Sequence, residues 1–344
     1  MAQQPIAVER FPGEYVRSLS DRPWYVRAGV HTLRFFRAKP LGGVGVALIV
    51  LLVVVAVFRE QLSRYDPQQV FQVPNPAYDA DLAEQALDNP SVKLLYPPEK
   101  FEPTTLARNL GPSAKHWLGT DNNGRDLFAR LVWGSRVSLM VGIGASALAV
   151  ILGSVFGIVS AYFSGWVDML MQRLTDALQA FPPLILLLLM IQVIDTPNLT
   201  LITVALGIVG VAPVIRIVRS TVLAVREEVY VTAAITIGAS DLRIMFRHIL
   251  PNIVAPIIVV FTTSIGLYIL AEASLSFLGY GDPREISWGK MVNEGRILTS
   301  AAPNVALVSG LAITLVVLAF NLAGDALRDV LDPRLRGRGG RTGF

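Results

Sequence analysis

The stretch Val231-Thr-Ala-Ala-Ile-Thr-Ile-Gly-Ala-Ser-Asp-Leu-Arg-Ile-Met-Phe-Arg-His-Ile-Leu-Pro251 decides the architecture. It is basic and amphipathic, and it lies between two long uncharged runs, Thr196–Ile215 and His248–Ala271. Ala234, Gly238, Leu242 and Met245 recur at spacings of four, four and three, which is one helical face. Gly238 can end a helix in the left-handed conformation, and Ser240 can cap the next. Pro251 then stops the second helix and starts the following run from its first turn. The expectation is two short helices with an elbow at Gly238-Ala239, and with Arg243 and Arg247 beside the apolar stripe. An amphipathic helix lying on a membrane surface is the competing reading. The glycine elbow and the short length favour docking into a protein groove.

Working outward, the uncharged runs multiply. Leu41–Phe58, Val137–Val167, Ala177–Ile194 and Ile297–Gly324 join the two that flank the elbow. A bilayer core of about 30 Å needs about 20 apolar residues as a helix. The 344-residue chain is 53% hydrophobic and only 16% charged, where a soluble domain carries about 25% charged residues. Six such runs argue against buried helices of a soluble protein. The first is preceded by a long basic region and followed by no prompt cleavage site, so it reads as an uncleaved span rather than a signal peptide. The chain is thus expected to be an all-α integral membrane protein with six transmembrane helices.

Lys and Arg set the orientation. With the N-terminus inside, the inner segments 1–40, 168–176, 216–247 and 325–344 hold 18 of them, and the outer segments hold 12. The long outer segment counts little, so both termini are expected in the cytoplasm. The pI near 9.4 then reflects topology rather than nucleic-acid binding.

Residues 59–136 carry eight prolines, a density that forbids long helices and central strands. An extended cap is expected there. Its end reads as an interfacial helix, capped by Thr120 or Asp121, with Asp126 and Arg130 paired at i,i+4. In the second span Gly142, Ser146, Ala149, Gly153 and Gly157 form a small-residue stripe suited to close helix packing.

Chemistry is sparse. There are no cysteines and only three histidines, His31, His116 and His248, and no phosphate-binding loop or His-Glu-x-x-His motif. The spans lack the polar groups an intramembrane enzyme needs. Glu272, near the outer end of the fifth span, is the one ionisable group that reads as functional, or else as an interfacial residue, hydrated or paired with a neighbouring arginine. A secondary carrier with related halves and helices broken at midplane is a further class, and it fits the docking elbow poorly.

The stretch Ala233-Ala234…Gly238…Ile249-Leu250-Pro251 resembles the EAA motif of ATP-binding cassette (ABC) importer permeases. Gly119-Thr-Asp121…Gly124-Arg-Asp126…Gly134-Ser-Arg136-Val-Ser138 resembles the family's entry to the permease core, and Phe181-Pro-Pro183 its turn into the third span. Ser276-Phe-Leu-Gly279, Ser287-Trp-Gly289 and Glu294-Gly-Arg296 resemble the loop after the fifth span. Asn321…Gly324-Asp-Ala-Leu-Arg-Asp329…Asp332-Pro-Arg334 resembles the C-terminal signature. Together they cover residues 117–336 and point to the C-type permease of dipeptide, oligopeptide and nickel importers.

The resemblance implies a type I importer permease fold with an extra N-terminal helix. It divides the chain into a cytoplasmic segment 1–40, a first helix 41–58, an outer region 59–136, a permease core 137–324 with coupling helices 231–250, and a tail 325–344. It implies no catalysis and no cofactor on this chain; ATP and Mg would sit on two ATPase subunits. The other implied partners are a homologous B-type permease, an extracytoplasmic substrate-binding protein and membrane lipid, with no nucleic acid. The implied ATPase-coupling residues are Thr232, Ala233, Ala234, Gly238, Ala239, Ser240, Arg243, Arg247, Leu250 and Pro251. Those of the outer mouth are Glu272, Ser276, Phe277, Leu278, Gly279, Trp288 and Gly289. Peptides are the implied cargo in a bacterial cytoplasmic membrane, with nickel, opines or oligosaccharides as alternatives. Two departures stand out. Thr232 occupies the motif's glutamate position, and residues 59–117 match no motif of the family.

Overall fold

The computed structural model describes residues 39–89, 91–193, 197–296 and 303–331. The main helices are α1 (Pro40–Val57), α2 (Ala80–Asp88), α3 (Leu127–Phe163), α4 (Gly165–Gln179), α5 (Pro183–Gln192) and α6 (Leu199–Arg226). They continue with α7 (Val229–Thr236), α8 (Asp241–Ile244), α9 (Leu250–Phe277), α10 (Trp288–Arg296) and α11 (Pro303–Leu331). The apolar runs become helices because hydrocarbon offers the backbone no hydrogen-bond partner, so each polar group must be satisfied within its own segment.

Small residues set the packing of α3. A Cβ on Gly153 would lie 2.6 Å from Val214 of α6, and one on Gly157 would lie 2.9 Å from Val218. Gly142, at the stripe's other end, abuts Ile265 and Ile269 of α9. Gly144 faces Thr203 and Arg226 reaches the Ala161 carbonyl at 3.1 Å. Residue numbers therefore rise together along α3 and α6, and the two helices are parallel. Parallel neighbours require the chain to cross back between them. Only α4 and α5 are available for that crossing, and they meet at a bend of 82°. Five helices of the described residues are long and apolar enough to cross a membrane, and the bent pair counted as one span makes six. Lys39 at the start of α1 pairs with Asp329 at the end of α11 at 2.6 Å, so both ends of the described bundle lie on one face.

Four expectations need correction. The run Ala177–Ile194 is not one helix. It breaks at Phe181-Pro182, where prolines at 182 and 183 deny N–H groups to the ladder. The next helix does not end near Ile215 but continues to Arg226, because Arg216 and Arg219 find Asp176 and Asp168 on α4 at 2.6 Å each. No separate interfacial helix precedes the second span: residues 127–163 form one 37-residue helix, about 55 Å long at 1.5 Å per residue. Its cap is Asp126, whose Oδ2 accepts the Ala129 N–H at 2.8 Å, and not Thr120 or Asp121. Lastly, Pro251 stands in the first turn of α9 as expected, but it does not end the elbow. Helix α8 passes through one π turn, Met245–Ile249, straight into α9. The wider turn relieves the proline ring against the carbonyl four residues back.

The region between α1 and α3 folds into short pieces. Strands β1 (Gln72–Pro74) and β2 (Thr104–Leu106) pair antiparallel, with Val73 opposite Thr105. Asp79 caps the nine-residue α2 through the Leu82 N–H at 3.2 Å. Phe71 packs edge-on against Tyr65 and His116, and His116 Nδ1 contacts Asp126 Oδ1 at 2.9 Å. The α3 cap is thereby tied to the region between α1 and α3.

Candidate coupling elbow and outer mouth

The elbow is built from a buried heel and an exposed tip. Val231 and Ala234 of α7, with Ile244, Met245 and Ile249 beyond the bend, are buried. Most of them join Val218 and Val222 of α6 and Ile253 of α9 in one apolar cluster. Helix α7 ends in a Schellman motif. The Gly238 N–H donates to the Ile235 carbonyl at 2.9 Å, and the Ala239 N–H to the Ala234 carbonyl at 3.1 Å. Gly238 has φ +79°, and no atom lies within 4 Å of where its Cβ would stand. Its glycine is thus required by backbone conformation and not by crowding.

Beyond the bend, the Tyr162 hydroxyl at the end of α3 donates to Asp241 Oδ1 at 2.7 Å. Arg226 holds the same end of α3 through the Ala161 carbonyl and the Ser164 hydroxyl. The elbow is therefore anchored to three spans.

The expected stripe of Ala234, Gly238, Leu242 and Met245 does not form one face. Ala234 and Met245 are buried while Gly238 and Leu242 are exposed, because the bend at Gly238 resets the helical phase. The exposed tip consists instead of Ile235, Ile237, Leu242 and Phe246, with Ile237 84% exposed. Arg243 and Arg247 flank it, as do Thr232, Ala233 and Ser240. Pro251 is exposed, and Leu250 and Ala239 are half-buried. The sequence reading missed Ile235, Ile237 and Phe246. A helical wheel restarted after Gly238 would have placed Leu242 with Phe246.

At the other end of α9 a second Schellman motif turns the chain. The Gly279 N–H reaches the Ser276 carbonyl at 3.1 Å, and the Tyr280 N–H the Leu275 carbonyl at 2.9 Å. Gly279 has φ +91°. Glu272 is 2% exposed, and its Oε1 accepts from the buried Ser276 hydroxyl at 2.6 Å. Its Oε2 lacks a partner of good hydrogen-bond geometry, although Ser287 interacts with the carboxyl. No arginine pairs with it among the described residues.

Trp288 and Gly289 are also buried. The Trp288 indole donates to the Leu131 carbonyl at 2.9 Å, and its ring fills the space left by Gly134. A Cβ on Gly289 would stand 2.1 Å from the Ala273 carbonyl oxygen. Of the outer-mouth residues only Leu278 and Gly279 are exposed, while Phe277 is half-buried with Arg296 over its ring at 5.3 Å. The rest position the loop.

An ionic cluster fastens α10 to α3. Arg130, 2% exposed, donates to Asp121 Oδ2 at 2.5 Å and to Glu294 at 2.6 and 3.3 Å; Arg125 meets Asp121 at 2.7 Å. Asp126 is not the Arg130 partner, because its carboxylate is committed to the helix cap and His116. Arg130 and Glu294 lie 164 residues apart, so no local spacing reveals the pair. Asp282 is a further junction. Its Oδ2 accepts the Leu199 N–H at 3.0 Å at the start of α6, and Arg284 grips the same carboxylate. Burial alone would raise its pKa, but Arg284 and the Arg284 and Leu199 N–H groups outweigh that and hold it below the ordinary value.

Comparison with known proteins gives a consistent picture. A family model described as a binding-protein-dependent transport system inner membrane component matches residues 153–337. The chain is 36% identical over 318 residues to the glutathione transport system permease protein GsiD of Escherichia coli, covering 92% of this chain and 94% of that protein. It is 44% identical over 227 residues to the dipeptide transport system permease protein DppC of Alkalihalophilus pseudofirmus, covering 66% and 74%.

Proposed function

The chain belongs to the family of binding-protein-dependent transport system inner membrane components, and from that membership we propose that its α7–α8 elbow couples partner ATPases to a pathway for peptides. It is a multi-pass permease subunit of an ABC importer and not itself an enzyme. The observation that carries the coupling role is the elbow's division of labour. An apolar tip of Ile235, Ile237, Leu242 and Phe246 stands in the open, on a heel locked into α3, α6 and α9. Exposed apolar patches rimmed by charge mark interaction sites.

The tip seats in a groove of an ATPase subunit, on the cytoplasmic side, with both termini on that side. Two ATPases bind ATP with Mg and close on one another. Their closure moves the tip, and the movement passes along α8, the π turn and α9 as one continuous rod to Ser276 and Gly279. There the outer loop meets substrate released by an extracytoplasmic binding protein. A B-type permease supplies the other half of the pathway. Thr232, exposed at the motif's glutamate position, leaves docking to shape and to Arg243 and Arg247.

Peptide cargo is supported by the relatives, which are named for dipeptide and glutathione transport. Nickel, opines or oligosaccharides fit the same mechanism, with the choice resting on the binding protein. Gly238→Trp tests the coupling role. No atom lies within 4 Å of a side chain at Gly238, and the strain of its positive φ stays local to the exposed bend, so the chain still inserts while the bulky side chain blocks seating. The variant is expected to reach the membrane at wild-type levels and to lose transport at least about tenfold. Wild-type transport in that variant refutes the coupling role. Uptake of labelled dipeptide, measured in cells carrying the whole importer, tests the cargo.

A further inference from the structure

We propose that the outer ends of α1 and α3 form a binding site for the phosphate of an anionic membrane phospholipid. Two adjoining cavities, of about 360 and 390 Å³, share Arg59 and Arg136 in their walls. Arg59 follows α1 by two residues, and its guanidinium lies over the Trp133 ring at 4.5 Å. Arg59 Nε and Trp133 Nε1 are both buried without a hydrogen-bond partner among the described residues. Arg136 is exposed, and no described residue forms a salt bridge with it. The site therefore gathers unanswered donors, and buried donors without acceptors are unfavourable. What is missing is a compact anion with several acceptor oxygens, and arginine forks match phosphate.

The surroundings identify the source of that phosphate. The second cavity is walled by Val57 and Met140, which are 67% and 48% exposed, and by Ala56 and Leu139. Val57 and Met140 are exposed at the span ends and so face hydrocarbon beside the arginines, with Leu139 buried behind them. A cationic rim above an apolar wall at a span end is complementary to a lipid headgroup with its acyl chains. A soluble phosphate would leave that wall uncovered. Acidic neighbours do not cancel the rim. Glu60 is 3.7 Å from Arg59 and itself exposed. Asp66 and Glu285 also line the first cavity, where they stand against three arginines, Arg59, Arg136 and Arg284.

The test uses the importer purified with its partner subunits and read by native mass spectrometry during titration with phosphatidylglycerol. Arg136→Gln, at an exposed position, preserves the fold and is expected to lower adduct occupancy at limiting lipid by about tenfold. Arg59→Gln with Arg136→Gln is expected to lower it further. Phosphatidylcholine is expected to bind more weakly to the wild type, and inorganic phosphate in excess is expected not to displace phosphatidylglycerol. Unchanged occupancy in Arg136→Gln overturns the site, and so does equal binding of phosphatidylcholine. Displacement by inorganic phosphate would assign a soluble anion instead. Absence of the adduct from the wild-type complex overturns the site as well.

Discussion

Asp282 sits where a single carboxylate holds two segments, the loop after α9 and the first turn of α6. Its charged form is favoured by the Arg284 guanidinium and by backbone N–H groups, against the opposing effect of burial. A carboxyl whose folded pKa is depressed contributes stability above its unfolded value, and the contribution fades as pH falls through the folded one. The contribution of Asp282 is therefore constant at neutral pH and declines only below the ordinary value of 3.8. Asp282→Ala is expected to cost about 1 kcal/mol at pH 7, as the loss of a helix cap does. Thermal unfolding of both proteins across pH should show a gap that is level from neutral to mildly acidic conditions and narrows below it. A gap that widened on acidification would contradict this account. Arg130 differs, since buried Asp121 and half-buried Glu294 lock it in a cluster that fixes α10 against α3.

At the element scale the small-residue stripe of α3 lets the backbone of α6 approach. Gly153→Leu would drive a side chain into Val214 and the Val211 carbonyl, which stand 2.6 and 3.2 Å from the Cβ position. Overpacking of this kind costs about 1–3 kcal/mol or more. Gly310→Leu on α11 meets nothing within 4 Å and should be nearly neutral. Equal thermal stability of the two variants in detergent would remove the packing argument. The stripe was legible in the sequence because its spacing of three and four needs only one helix. The elbow was half legible. Gly238 announced the stop, but one uninterrupted helical wheel cannot follow a chain through a left-handed residue, so Ile237 and Phe246 were missed. Pro251 misled for a related reason: a π turn absorbed the proline that normally ends a helix. The contacts of Trp288 with Gly134 and of Glu294 with Arg130 join residues far apart in sequence, which no local pattern encodes.

At the scale of the whole molecule the decisive geometry is the parallel pair α3 and α6, which forces the bent α4–α5 pair to recross the membrane. Helix α5 has ten residues, about 15 Å at 1.5 Å per residue, too short to span a core of about 30 Å alone. The crossing therefore depends on α4 as well. Because the chain has no cysteine, single cysteines report topology without background. Ser91→Cys, Val193→Cys and Ser240→Cys all replace exposed residues. Ser91 lies beyond α1, Val193 at the end of the bent pair, and Ser240 in the elbow. With six crossings, a membrane-impermeant thiol reagent applied to whole cells should label Ser91→Cys and Val193→Cys. Ser240→Cys should react only after the cells are opened. If the bent pair failed to cross, Val193 would move to the inner side. Helix α6 would then carry the elbow outward, and Ser240→Cys would label together with Ser91→Cys. That pattern would put the elbow out of reach of any cytoplasmic ATPase, so the same three cysteines test the bundle's topology and the coupling assignment at once.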